Sequence, residues 1–254
     1  MEVHAHSHPS TSSGHRKKWT HYFWEFLMLF LAVFCGFLAE YQLEHVIENQ
    51  REKKYAKTML EDLVNDTLDL SSDIPFWELY NSRVDSIRKE IEKSPSIRDH
   101  LQLYRLVSTL QNNNTFLYHD RTIGQLKNSG NFRLIRKKVV ADSLIEYDAR
   151  IRTIISNIQD GYNEISRDRR EIQDQLFSSK FFPLRNTVEK FDSAVKLEPI
   201  TISIRKGNED LLFQYYNRLY TLKWLTAARI RFLKGLSEKA ITLIGIIKKE
   251  YHLE

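Results

Sequence analysis

The sequence predicts an all-α protein, with an N-terminal transmembrane helix continuing into a bundle of long helices and at most a short two-stranded β element. Three observations predict it. The stretch Tyr22 to Ala39, YFWEFLMLFLAVFCGFLA, has only Glu25 as a charged residue. Later in the chain, apolar residues recur at helical spacing over long runs. Glycine and proline, the residues least compatible with helix interiors, number only 8 and 5 among 254.

The first element is the apolar helix. Crossing ~30 Å of hydrocarbon takes ~20 mostly apolar residues, and residues 19–43 supply that length. Trp19, Tyr22 and Trp24 form an aromatic belt at one end and Tyr41 marks the other. The segment is apolar all round, unlike the one-sided helix of a soluble core. It is also too long and bulky for a cleaved signal peptide, whose apolar region runs ~7–15 residues before small ones. Phe34 before Cys35 is too large for a lipoprotein signal. The segment therefore reads as an uncleaved signal anchor.

Arg16, Lys17 and Lys18 precede the span, while Glu40, Glu44 and Glu48 follow it before Arg51. The positive-inside rule then places the N-terminus in the cytoplasm and the C-terminal domain outside, in the periplasm of a bacterial inner membrane. Glu25 shares a helical stripe with Ala32, Gly36 and Ala39. Ala32 and Gly36 are a small-xxx-small pair that lets two helices approach. The stripe Glu25, Ala32, Gly36, Ala39 is thus a candidate oligomer seam in the membrane. Glu25 lies near the end of the span, so reaching headgroups or pairing with Lys17 or Lys18 is the simpler role for it.

Four segments follow: a disordered His-rich cytoplasmic tail (1–18), the transmembrane helix (19–43), a charged helical stalk (44–58) and an extracytoplasmic bundle domain (59–254). Hydrophobic residues make up 42%, enough for a core, and the net charge of +5 is spread along the chain. A nucleic-acid surface would gather its cations on one face, so none is expected. The single cysteine, Cys35, leaves no intrachain disulfide or thiolate metal site.

In the tail, His4, His6 and His8 alternate and are the candidate metal ligands. A solvated tail binding metal only adventitiously accounts for them more simply, since tight sites need fixed geometry. Past the stalk, Met59, Leu60, Leu63, Val64, Leu68 and Leu70 begin an amphipathic helix that Pro75 is expected to break. Asp62, Asp66, Asp69 and Asp73 form an acidic stripe on it. A solvated face is expected there, ahead of a cation site or a contact with a basic stripe. A second helix over 76–93 buries Trp77, Tyr80, Val84, Ile87 and Ile91 and ends at Ser94-Pro95. Ser96 to Asp99 reads as a capping box opening a helix to Gln111.

Residues 115–118 suggest an extended piece, and 122–127 a helical turn ended by Gly130. Gly124 and Gly130 do not make a phosphate loop, because no Lys-Ser/Thr follows. From Val139 to Phe182 a long helix is expected, with Leu144, Tyr147, Ile151, Ile154, Ile158, Tyr162, Ile165, Ile172 and Leu176 at close to coiled-coil spacing. Arg167 to Glu171 reads as its solvated face. Ile200, Ile202 and Ile204 alternate as a short strand would. The last helix runs from Asn208 to Tyr251. Its Tyr215, Tyr216, Tyr220 and Trp224 read as core aromatics, with a ligand pocket as the alternative.

The anchor and stalk, WTHYFWEFLMLFLAVFCGFLAEYQLEHVIENQREKKYAKTMLEDL, together with TIGQLKNSGNFRLI (Thr122–Ile135), carry a resemblance. The chain resembles a family of uncharacterised single-pass bacterial membrane proteins, known only as a domain of unknown function. The resemblance implies a bacterial membrane protein and carries over no catalytic or binding residue.

No nucleophile–base pair, metal signature or phosphate loop stands out, so no enzyme activity and no cofactor are expected. The expectation is a self-associating, membrane-anchored helical scaffold or interaction protein of the bacterial envelope, with an envelope protein as a possible partner. The alternatives are a ligand-binding sensory bundle, or an oligomeric pore or transport component using Glu25.

Overall fold

The computed structural model describes residues 15–111, 114–153, 156, 158–178 and 207–253. Six α-helices follow one another among them: α1 His15–Glu92, α2 His100–Ser108, α3 Arg121–Asn128, α4 Lys138–Thr153, α5 Gln159–Leu176 and α6 Glu209–Tyr251. Short 3-10 turns occupy Thr109–Gln111 and Asn131–Leu134. No strand occurs among the described residues. Residues 115–118 lie in neither helix nor strand, and Ile200 to Ile204 fall outside the described residues. Internal contacts divide the chain into residues 1–53 and 54–254.

In the first unit, the apolar part of α1 is bare. Its most apolar 18-residue window has a mean hydropathy of 2.0, and none of it is buried. Phe26, Phe30 and Phe34 stack down one side at the i, i+4 spacing that makes helical side chains neighbours, with ring centroids 6.3 and 6.0 Å apart.

In the second unit, three long helical runs bury residues at alternating steps of three and four. On α1 these include Ala56, Met59, Leu63, Leu70, Trp77, Tyr80, Val84, Ile87 and Ile91. On α6 the series is unbroken from Leu212 through Leu219, Leu222, Leu233 and Leu236 to Ile247. That spacing keeps one stripe of each helix on the shared core. Glu92 with Tyr216, Asp85 with Lys223 and Glu78 with Lys234 meet across α1 and α6, so these two helices are antiparallel. Glu146 with Lys239 and Asp168 with Arg218 show α6 antiparallel to α4 and α5 as well. Asp66 with Tyr147 and Tyr80 with Tyr162 show α1 parallel to α4–α5. Helix α2 closes one end, where Tyr104 packs edge-on against Phe177 at 5.1 Å.

Three boundaries differ from expectation. Helix α1 runs straight through Pro75. A proline there costs ~3 kcal/mol, because it removes the N–H that would bond the carbonyl of residue 71 and crowds it. Pro75 and Ser71 both lie on the exposed side, where water can serve that carbonyl, while Leu70, Trp77 and Tyr80 anchor the turns on either side in the core. Pro75→Ala should therefore raise the stability of the full chain by about 1–2 kcal/mol, read as a higher urea midpoint with an unchanged slope. An unchanged or lower midpoint would contradict this account of the break.

The long helix expected over 139–182 is instead α4 and α5, with Ser156 and Ile158 in π-type turns between them. The chain leaves the helix at Phe177, whose extended backbone (φ −118°, ψ 131°) turns its ring onto Tyr104 and Tyr215. Helix α2 opens at His100, after the expected capping box. Its cap is Asp99, which accepts from Gln102 N at 2.9 Å, while Asp99 N donates to Glu90 at 2.7 Å. Ser96 pairs with Ser94 instead. Gly130 takes the left-handed conformation (φ 66°) just beyond α3, as its place after the helical turn predicts.

Candidate functional site

The acidic stripe on α1 is solvated only at Asp69, which stays partly exposed. Asp62, Asp66 and Asp73 are buried, because the three-and-four step that places Leu63, Leu70 and Trp77 inward turns them toward the segment 114–122. Each carboxylate takes up a donor there. Helix α3 has no cap of its own, since Asp120 makes no side-chain cap bond. Asp62 supplies it from α1, accepting from Thr122 N at 2.8 Å and pairing with Arg121 at 3.1 Å. Asp66 accepts from His119 N at 2.9 Å and faces His119 Nδ1 at 3.0 Å, while its other oxygen accepts from Tyr147 Oη at 2.8 Å. Asp73 accepts from Asn114 Nδ2. The irregular segment 114–122 is thus fastened to α1 at three points.

Burial pushes the Asp66 carboxyl above its ordinary value, and its hydrogen bonds with His119 and Tyr147 pull it back only in part. Burial raises Asp73 too, against the opposing charge of Arg229. Asp148 behaves oppositely. Burial pushes it up, but hydrogen bonds from Arg152 at 2.9 Å and from Lys127 outweigh that and hold it low.

The second feature is an arginine where a solvated face is expected. Arg169 is 1% exposed, at the heart of α5's inward stripe of Tyr162, Ser166, Gln173 and Leu176. A buried charge ordinarily needs a counter-charge. Arg169 instead donates to Gln173 Oε1, to Tyr215 Oη at 3.5 Å and to the carbonyl of Leu110 at 3.4 Å. Its Nε has no partner. Arg169 forms no ion pair with a carboxylate among the described residues.

The third is Arg229 on α6, 4% exposed. Its guanidinium lies over the ring of Trp77 at 4.1 Å, and Nη2 donates to the Asn114 carbonyl at 3.3 Å. Nη1 has no partner. Arg169 with Gln173 and Tyr215, and Arg229 with the Asn114 carbonyl, are thus two buried polar groups in the core.

The residues singled out by sequence are not brought together. His4, His6 and His8 lie outside the described residues. Among the described residues there is no cluster of three or more His, Cys, Asp or Glu that could hold a metal. Glu25 pairs with His21 Nε2 at 3.4 Å, one turn earlier, and the side chains of Lys17 and Lys18 lie outside the described residues. Ala32, Gly36 and Ala39 are exposed, and a Cβ added at Gly36 would meet nothing within 4 Å. The aromatic quartet of α6 is split. Tyr215 is buried beside Arg169, Tyr216 binds Glu92 and Arg88, and Tyr220 and Trp224 are exposed, Trp224 by 63%. Neither the core nor the pocket reading fits the last two.

Arg169 and Arg229 escaped a search for apolar periodicity. Counting steps of three and four without regard to polarity, from Leu222 through residue 226 to Leu233, would have placed Arg229 inside. No family model, curated protein or solved structure matches the chain.

Proposed function

We propose that the chain is a membrane-anchored, non-enzymatic helical interaction protein of the bacterial cell envelope that self-associates through its membrane segment. The observation that carries this reading is the bare apolar stretch of α1, long and apolar enough to cross a bilayer and with none of its most apolar window buried among the described residues. Each Å² of apolar surface left in water costs about 25 cal/mol, so so many exposed phenylalanines and leucines call for lipid. The exposed Ala32–Gly36–Ala39 stripe supports self-association, since small residues let a second copy approach closely. The lysines and arginine at 16–18 support a cytoplasmic N-terminus, and the resemblance to single-pass bacterial proteins supports the envelope. The pairing of Glu25 with His21 within one helix favours an edge-of-membrane role over a pore.

The test uses the full chain expressed in a Gram-negative bacterium. The protein should stay with membranes through alkaline carbonate washing and sediment in mild detergent as more than one copy. Ala32→Leu with Gly36→Leu should keep it in the membrane and lower its detergent mass. Release by carbonate would reject the anchor, and an unchanged mass would reject the seam. Protease should reach residues 54–254 once the outer envelope is opened; protection until full lysis would reverse the orientation.

A further inference from the structure

One face of α6 is left over once the bundle is packed. From Asp210 to Arg231 it steps by three and four through Phe213, Asn217, Tyr220, Trp224 and Ala227. That alternation is the seam spacing of paired helices. At ~1.5 Å per residue it keeps these side chains on one stripe for about 31 Å. The inward stripe of Leu212, Leu219, Leu222 and Leu233 is a different one. Phe213 is 66%, Tyr220 60% and Trp224 63% exposed, and Asp210, Asn217 and Arg231 are exposed as well. Single exposed hydrophobics are ordinary, but three large aromatics in register on one helix make a patch. Tyrosine and tryptophan are also the residues that most often anchor protein interfaces.

The order of residues along the stripe says what covers it. Arg218 and Lys223 of α6 are paired with Asp168 and Asp85, whereas neither Asp210 nor Arg231 makes an ion pair among the described residues. The stripe therefore carries a free negative charge at one end and a free positive charge at the other. A second copy laid antiparallel, with the two-fold axis beside Tyr220, meets both. Asp210 of each helix then faces Arg231 of the other. Phe213 faces Ala227, a large ring against the smallest side chain of the stripe. Trp224 faces Asn217, whose side-chain oxygen accepts from the indole N–H. Tyr220 meets its own copy. Laid parallel, the same stripe would set Asp210 against Asp210 and Arg231 against Arg231, and like charges so placed repel.

We propose that residues 210–231 of α6 form a homodimer face on which two copies of the chain pair antiparallel. The contact belongs to the second unit and does not rest on the membrane seam. A chain making both contacts assembles beyond two copies, because each contact uses a different self-complementary surface.

The test uses the full chain in mild detergent, with Ala32→Leu and Gly36→Leu to remove the seam and Cys35→Ser to clear the native thiol. This chain should sediment as two copies. Arg231→Glu turns two attractions per dimer into two repulsions, and should weaken pairing about tenfold or more. Adding Asp210→Arg should restore it. Both positions are exposed, so neither change disturbs the core. With a short thiol cross-linker, Thr221→Cys beside the axis should link to its own copy. Glu209→Cys should not, since antiparallel pairing holds the two copies of residue 209 more than about 30 Å apart. A single-copy mass with no link at Thr221→Cys would leave the face to another occupant and overturn the proposal. Failure of Asp210→Arg to rescue Arg231→Glu would overturn it too, and a link at Glu209→Cys would show parallel pairing and do the same. The seam is judged separately, by whether its own two substitutions lower the mass of the otherwise unaltered chain.

Discussion

Trp77→Ala should cost the bundle about 3–5 kcal/mol, the largest loss expected from any single substitution considered for this chain. Trp77 is fully buried and among the largest side chains in the core. Its ring is packed edge-on by Tyr162 at 5.1 Å and Phe76 at 5.2 Å, with Tyr80 tilted against it at 5.3 Å. Arg229 lies over its face. Truncation thus removes three aromatic contacts, opens a cavity and strips a buried cation of its covering ring. Trp77→Phe keeps an aromatic face and should recover roughly half of the loss. Urea unfolding of the three proteins reads these values; a loss below about 1.5 kcal/mol for the alanine variant would mean that the core around Trp77 is loosely packed.

Asp66 should show the next largest effect, together with a change in pH dependence. Alanine there leaves the His119 N–H and the Tyr147 hydroxyl without acceptors, at a cost of roughly 3 kcal/mol for the buried groups orphaned. The carboxyl's folded value is raised above the ordinary 3.8 by burial. Between the two values the folded chain binds a proton that the unfolded chain has released. The Asp66 contribution to stability is therefore fullest below 3.8 and declines as pH rises through the raised folded value. Asp66→Asn cannot titrate, so the difference in unfolding free energy between wild type and Asp66→Asn should shift against wild type as pH climbs from 3 toward 7. A difference growing in favour of wild type over that range would show that hydrogen bonding outweighs burial at Asp66.

These two residues also show what the sequence could reveal. Trp77 was legible, because an aromatic at the right step among Val84, Ile87 and Ile91 has few other places to go. The apolar stretch around Phe26 to Phe37 was legible for the same reason: a helix without a polar face must be covered or lie in lipid. Asp66 was not, because its burial depends on donors more than fifty residues away, in a segment without regular structure. On α5 Ile165 and Ile172 do pack against the core, but Ser166, Arg169 and Gln173 lie deeper in it, where hydrophobicity gives no sign of them. On α6 the inward positions Thr226, Arg229 and Ala240 were passed over in the same way. Polar and small residues at inward positions are invisible to a hydrophobic pattern, and they mark where this bundle is most individual. Pro75 misled for a further reason: its helix-breaking tendency is local, and the packing that overrides it comes from α6 and α5.

The antiparallel placement of α6 against α1 sets the order in which this protein can be made. Asp85 waits for Lys223, 138 positions further along the chain. During synthesis α1, α4 and α5 leave the ribosome with their inward stripes uncovered until the last helix arrives. Loop closure over such separations is slow compared with helix formation, and apolar faces exposed meanwhile invite association with other chains. A polypeptide built this way keeps those stripes exposed for as long as α6 is still unmade.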